Sequence, residues 1–270
     1  MRETLESGKF SFNTDRNVLH FIYPLGEKGF TRSTMTDLAA IKFFVTPLHQ
    51  CSYLPRRDAI TLFADPKANL NHNLYSELSE LGFRRSGNYL YRPHCRQCCA
   101  CIPVRIPVQE FQLSRKHKRI MQRNADLQIT SVPAQYREEH YQLYACYIES
   151  KHRDGDMYPP SPEQYESFLL SDWGNTHFYE FRLPNGELVA VAVCDVMKNG
   201  LSAVYTFYSV EHAKRSLGVM AVLWQIEECH RLDLPALYLG YWIKDCQKMS
   251  YKTEYRPLEM YVNNHWVTVT

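Results

Sequence analysis

Leucines recur at positions 70, 74, 78 and 81 of the segment NLNHNLYSELSEL, residues 69–81, a spacing that predicts an amphipathic helix. Gly82 stands where such a helix would end. Beyond it, residues 89–91 and 104–106 read as short strands framed by prolines. Ser114 is a suitable N-cap for a helix over 115–124, and a further helix is predicted over 136–150, breaking at Asp154-Gly155. From residue 176 the period shortens to that of strands. Residues 176–183, 188–195 and 201–208, joined by the turns Pro184-Asn185-Gly186 and Lys198-Asn199-Gly200, predict an antiparallel meander. A helix over 219–232 and a strand over 237–243 then complete a β-α-β unit.

A meander that feeds a β-turn-helix-β unit, with Arg215 and Gly218 in an Arg-x-x-Gly pattern at the helix start, has the layout of an N-acetyltransferase-type (GNAT) acyltransferase. The expected fold class is therefore α+β. Residues 1–125 form a smaller cysteine-containing α+β domain that ends in a basic helix, and residues 126–270 form a GNAT-like domain. With 45% hydrophobic and 22% charged residues, the chain has a globular composition. No stretch approaches the roughly 18–20 apolar residues that span a bilayer, and the first thirty residues hold no apolar run of signal-peptide length. No membrane partner is expected, and a cytoplasmic setting follows, with the nine cysteines as reduced thiols. A net charge of +2 leaves any nucleic-acid partner to a local basic patch.

Candidate chemistry concentrates behind Gly82. Cys95, Cys98, Cys99 and Cys101 fall within the run His94 to Cys101, too close together for an ordinary disulfide framework, since neighbouring strand residues face opposite ways. A metal site, a redox site and a packed turn of small soft side chains all remain open. Arg84 and Arg85 together make a natural receptor for a carboxylate or phosphate, or else a solvated pair after a helix.

Several blocks resemble the aminoacyl-tRNA–protein transferases of the N-degron pathway. They are Gly82-Phe83-Arg84-Arg85-Ser86-Gly87, the Cys98-Cys99 pair, Ser202-Ala203-Val204-Tyr205, Ser216-Leu217-Gly218, and the long run from Tyr238 to Lys252. The resemblance covers most of the chain from about Cys51 to Pro257, and the cysteine run resembles the bacterial branch. It implies transfer of leucine from leucyl-tRNA to the α-amine of proteins that begin with Asp or Glu, which marks them for degradation. Such an amine has a pKa near roughly 7.7, so a useful neutral fraction exists without a strong base.

On that reading Asp195 accepts the amine's proton or orients the terminal ribose, and Tyr205 donates to the oxyanion or the leaving oxygen. Their bland alternatives are a hairpin cap and a half-buried strand tyrosine. Arg84, Arg85, Lys248 and Lys252 would clamp the acceptor's acidic side chain. Arg115, Lys118, Arg119 and Arg123 would contact tRNA phosphates, unless that helix face is merely solvated. No cofactor is expected. The family's eukaryotic members carry a cysteine where this chain has Leu54, so zinc or an iron–sulfur cluster would need Cys95 or Cys101 as a substitute ligand. The metal ligands are unassigned. Two other readings compete: a coenzyme-A-dependent N-acetyltransferase, against which Met220 stands where a small residue is usual, and a zinc-dependent RNA-binding module.

Overall fold

The structure is a computed structural model that describes Leu38 and residues 41–270. The first thirty residues, read above for an export signal, lie outside the described ones. The chain opens with β1 (Phe43–Val45), β2 (His49–Gln50), β3 (Asp58–Ala59) and β4 (Thr61–Ala64), then α1 (His72–Glu80), β5 (Arg84–Ser86) and β6 (Tyr89–Pro93). Strands β2 and β3 form a small ribbon, and the others an antiparallel sheet in the order β1-β4-β6-β5. The leucine spacing does build a helix here. Asn71 caps it by accepting from the Asn73 and Leu74 amides, Leu74 and Leu78 are fully buried, and Gly82 closes it at φ +82°. Each such leucine contributes about 1.5–3 kcal/mol by leaving water.

The remaining strands make one larger sheet. They are β7 (Ile102–Pro107), β8 (Gln128–Pro133), β9 (Thr176–Arg182), β10 (Leu188–Met197), β11 (Gly200–Tyr208), β12 (Ala236–Trp242), β13 (Leu258–Val262) and β14 (His265–Val269). Their order is β14-β13-β7-β12-β11-β10-β9-β8, with only β11 and β12 parallel. The mixed α+β class is as expected, the meander β9-β10-β11 falls where the turns placed it, and β7 from the cysteine side of the sequence lies between β12 and β13.

Helices cover both faces. One face packs against α5 (Leu217–Arg231) through alternate residues Ala190, Ala192, Cys194 and Leu237, and α2 (Arg115–Arg123) adjoins α5 there. The other face is shared. Over Val191 and Val193 lie α3 (Glu138–Lys151) and α4 (Pro162–Leu169), whereas Ala236 and Tyr238 meet α1 and the small sheet. Coverage on both faces explains why β10 is a nearly unbroken apolar run. Ser114 caps α2 as expected and takes part in a reciprocal bond with His117.

Strands β11 and β12 pair over only two positions, Leu201 with Leu237 and Ser202 with Tyr238, although both run on well past them. Beyond Ser202 the two strands diverge and leave a split in the centre of the sheet. Among the described residues no helix is long and apolar enough to cross a membrane.

Candidate functional site

Adjacent strand residues leave on opposite sides, and β5 uses this to send its two arginines to different places. Arg85 enters the large sheet and meets Asp195 of β10. Its Nε donates to Asp195 Oδ2 at 2.7 Å and its Nη2 to Oδ1 at 2.9 Å. Neither side chain keeps any exposure. Thr176 donates to Oδ1 at 2.6 Å, and the Tyr75 hydroxyl of α1 donates to Oδ2 at 3.0 Å. Arg85 also bonds the carbonyls of Gly87, Leu169 and Leu170, which fastens α4 to the same point. The alternative of a solvated arginine pair fails for Arg85, and Asp195 is not a hairpin cap. A charge in a sheet covered on both faces is tolerable only when paired and fully bonded, and these two satisfy each other.

Arg84 goes instead into the split. Its Nη1 donates to Ser202 Oγ at 3.1 Å and to the Tyr238 carbonyl at 3.4 Å, and its Nη2 to the Ala203 carbonyl at 2.6 Å. The guanidinium thus bridges β11 and β12 where their own ladder stops. Gly240, at φ +79°, makes this possible, because a Cβ there would stand 3.1 Å from Arg84 Nε and 3.2 Å from Cζ. Ser202 Oγ lies 3.0 Å from the Tyr75 hydroxyl, so the two arginines share one hydrogen-bonded network.

Lys252 reaches the split from below. It is the buried residue of a 3₁₀ segment, Gln247–Glu254, and its Nζ donates to the Tyr241 carbonyl of β12 at 2.5 Å. Burial, reinforced by the Arg84 guanidinium, lowers its pKa from the ordinary 10.5 to about 7. The Cys246 thiol acts weakly in the opposite sense. Lys248 lies outside on the same segment, exposed and paired with Asp154 at 2.7 Å. Arg84 and Lys252 therefore come together, Lys248 is paired with Asp154 instead, and Arg85 belongs to the scaffold.

An aromatic wall runs from this point toward α5. The Tyr205 hydroxyl contacts Met157 Sδ at 3.7 Å, and its ring packs on Phe168, Tyr144 and Tyr147, so burial holds its proton far above the ordinary range. Tyr147 also packs on Tyr208 at 4.8 Å and on His152. Tyr208 lies against Gly218, where a Cβ would stand 2.9 Å from its ring. Ser216 adopts a left-handed conformation and gives α5 no side-chain cap. Tyr75, Tyr208 and Tyr251 escaped sequence reasoning because no spacing distinguishes a site tyrosine from a core one.

Arg115, Lys118 and Arg119 of α2 are exposed and make no ion pair among the described residues. Arg123 differs, since it donates to the Lys214 carbonyl ahead of α5. The thiols gather in part. Cys101 is pushed up to about 12 by burial and by its neighbours Cys51, Cys95, Cys98 and Cys246, whereas Cys99 is exposed. All nine cysteines are free thiols. Cys98 accepts from Arg57 at 3.7 Å and Cys51 from the Leu54 amide at 3.4 Å. Among the described residues no three or more His, Cys, Asp or Glu side chains are set to hold a metal ion.

The lowered pKa of Lys252 has a thermodynamic sign. Between pH 7 and 10.5 the unfolded chain binds its proton and the folded chain does not, so stability from this group rises with pH across that window. Lys252→Met removes the cost. Urea unfolding will find that variant stabilised relative to wild type most at pH 7, with the difference shrinking by up to about 1.4 kcal/mol per pH unit toward pH 10. A difference independent of pH would contradict this.

The family profile "Arginine-tRNA-protein transferase, N terminus" matches residues 49–119, and its partner "Arginine-tRNA-protein transferase, C terminus" matches residues 139–262. Among curated proteins, the aspartate/glutamate leucyltransferase of Stutzerimonas stutzeri is 60% identical over 236 residues, 87% of this chain and 100% of that one. That of Alcanivorax borkumensis is also 60% identical, over 86% of this chain and 96% of its own. The solved structure of L-PGS from Bacillus licheniformis superposes with a TM-score of 0.41 at 12% identity, over 60% of this chain and 48% of that one, below the level of a common fold. With two matching profiles over most of its length and relatives at 60% identity over 86–87% of it, the chain belongs to the arginine-tRNA–protein transferase family, enzymes that move an aminoacyl group from tRNA to protein.

Proposed function

We propose that this protein transfers leucine from leucyl-tRNA to the N-terminal α-amine of proteins that begin with Asp or Glu, the step that marks them for degradation in a cytoplasmic N-degron pathway. The names of the relatives at 60% identity support the donor and acceptor classes. The observation that carries the chemistry is the split between β11 and β12, with Arg84 across its apex.

A diverging parallel pair after a meander is the arrangement a GNAT-like sheet uses for acyl transfer. Past Ser202 the edge of β11 has no strand partner on its β12 side; Arg84 takes the Ala203 carbonyl, and backbone N–H groups beyond it would hold an acyl carbonyl. Arg84 adds a fixed positive charge close to where negative charge develops, in a site shielded from water. The leucyl side chain would lie along the aromatic wall of Tyr205, Phe168 and Tyr147. In this role Tyr205 shapes the pocket. The uncapped start of α5, flush against Tyr208, suits the last phosphates of the tRNA. Exposed Lys248, already holding the Asp154 carboxylate, is the cation best placed to read the acceptor's acid.

Transfer of labelled leucine from leucyl-tRNA to peptides that begin with Asp, Glu, Asn or Lys tests the reading, with phenylalanyl-tRNA, arginyl-tRNA and acetyl-coenzyme A as competing donors. Leucine on Asp and Glu peptides, with Asn peptides at least about tenfold slower, is the expected outcome. Equal use of Asn peptides, or acetyl transfer in place of leucyl transfer, would refute it. The basic helix gives a second test. Neutralising Arg115, Lys118 and Arg119 together is expected to weaken leucyl-tRNA binding and reduce its salt slope by about one for each lost phosphate contact. Arg123→Gln is expected to change it least. An unchanged slope in the triple variant would make α2 an ordinary solvated face.

A further inference from the structure

Lysine is almost never buried without a partner, yet Lys252 is 8% exposed and no carboxylate faces it among the described residues. The titratable and charged groups about it are Arg84 from β5, the Cys246 thiol from the start of its own segment, and the ring of Tyr251, 6.0 Å from Nζ. The single hydrogen bond of the amine goes to the Tyr241 carbonyl, on the part of β12 that has already left β11. A lysine meant to clamp an anion would sit in water or beside its counter-charge, as Lys248 does. A lysine placed next to another cation and out of water is held toward its neutral form.

Resting on the reaction proposed above, we infer that Lys252 Nζ is the proton acceptor for the attacking amine, rather than a cation for the acceptor's acidic side chain. The acceptor arrives largely as an α-ammonium, whose pKa near roughly 7.7 matches the value near 7 for this buried amine. Neutral Lys252 takes one proton from the ammonium. The freed electron pair then attacks the leucyl ester carbonyl and forms the C–N bond. As the C–O bond to the ribose breaks, its electrons go to the ribose oxygen, which takes the second nitrogen proton. The products are a leucyl-peptide amide, a free ribose hydroxyl and protonated Lys252, which returns its proton to water. The Tyr241 carbonyl orients Nζ for this step by fixing one of its hydrogens.

The test is single-turnover transfer from preloaded leucyl-tRNA to an Asp-initiated peptide, with leucyl-peptide as the measured product. Lys252→Arg keeps the charge but has no electron pair to accept a proton at neutral pH, so transfer is expected to fall roughly 100-fold or more while leucyl-tRNA binding stays within about twofold of wild type. Lys252→Ala is expected to lose as much and to be partly rescued by methylamine and ethylamine, in proportion to the concentration of free base. Near-normal transfer by Lys252→Arg would overturn the proposal in favour of a cation clamp. A defect in Lys252→Ala that no amine relieves, with leucyl-tRNA binding intact, would overturn it in favour of packing. If wild type transfers no leucine at all, the reaction itself has been misread, and that result is distinct from either.

Discussion

A carboxylate and a guanidinium that leave water together must satisfy each other, and Arg85 and Asp195 meet that requirement with both side chains fully buried. Around them Tyr75, Thr176 and three backbone carbonyls complete the hydrogen bonding. The network joins five elements: β5, α1, α4, β9 and β10. Opening it would strand a buried charge, which typically costs about 3–5 kcal/mol, so the small sheet is held in one register against the large one. Arg84 is the preceding residue of β5 and inherits that register. Its guanidinium therefore reaches the split between β11 and β12 as a consequence of where Arg85 is anchored.

The split concentrates what the rest of the fold avoids. Backbone there lacks a strand partner, an arginine substitutes for the missing ladder, and a lysine sits out of water beside it. Lys252 lowers stability at neutral pH, and such a cost at a single point is a mark of a functional site. The burial that penalises the charged amine also makes its electron pair available. Stability and chemistry are opposed at this residue, and the Arg85–Asp195 network supplies the rigidity that keeps it in place.

Much of this architecture was legible in the chain. Period together with cap and turn residues located α1, the capped α2, the meander β9–β11 and the β-α-β unit. Strand β8, the hairpin β13–β14 and α4 were not read, although Ser161-Pro162 is a helix-start signal. The site was only partly legible. In sequence Asp195 reads as a proton acceptor or a hairpin cap and Arg85 as half of a carboxylate receptor, because nothing local reports that β10 is covered on both faces. The seven-residue apolar run from Leu188 to Cys194, which leads directly into Asp195, is the available hint. Lys248 and Lys252 look alike in sequence, four residues apart in one 3₁₀ segment, and only the packing of that segment against β12 separates a solvated cation from a buried amine. The cysteine spacing argues against an ordinary disulfide framework, whereas the approach of Cys51 and Cys246 to Cys101 is a property of the fold that the spacing does not show.

The central claim is that Asp195 acts through Arg85 and the frame they hold, not on the substrate. A double-mutant cycle with Arg85→Met and Asp195→Leu, read by urea unfolding and by leucine transfer per folded molecule, tests it most directly. The account predicts that each single change costs about 3–5 kcal/mol. It also predicts that the double variant loses less than their sum by about 2 kcal/mol or more, with transfer retained within roughly tenfold, or about 1.4 kcal/mol of barrier. A double variant that folds stably yet no longer transfers leucine would contradict it and return Asp195 to the chemistry.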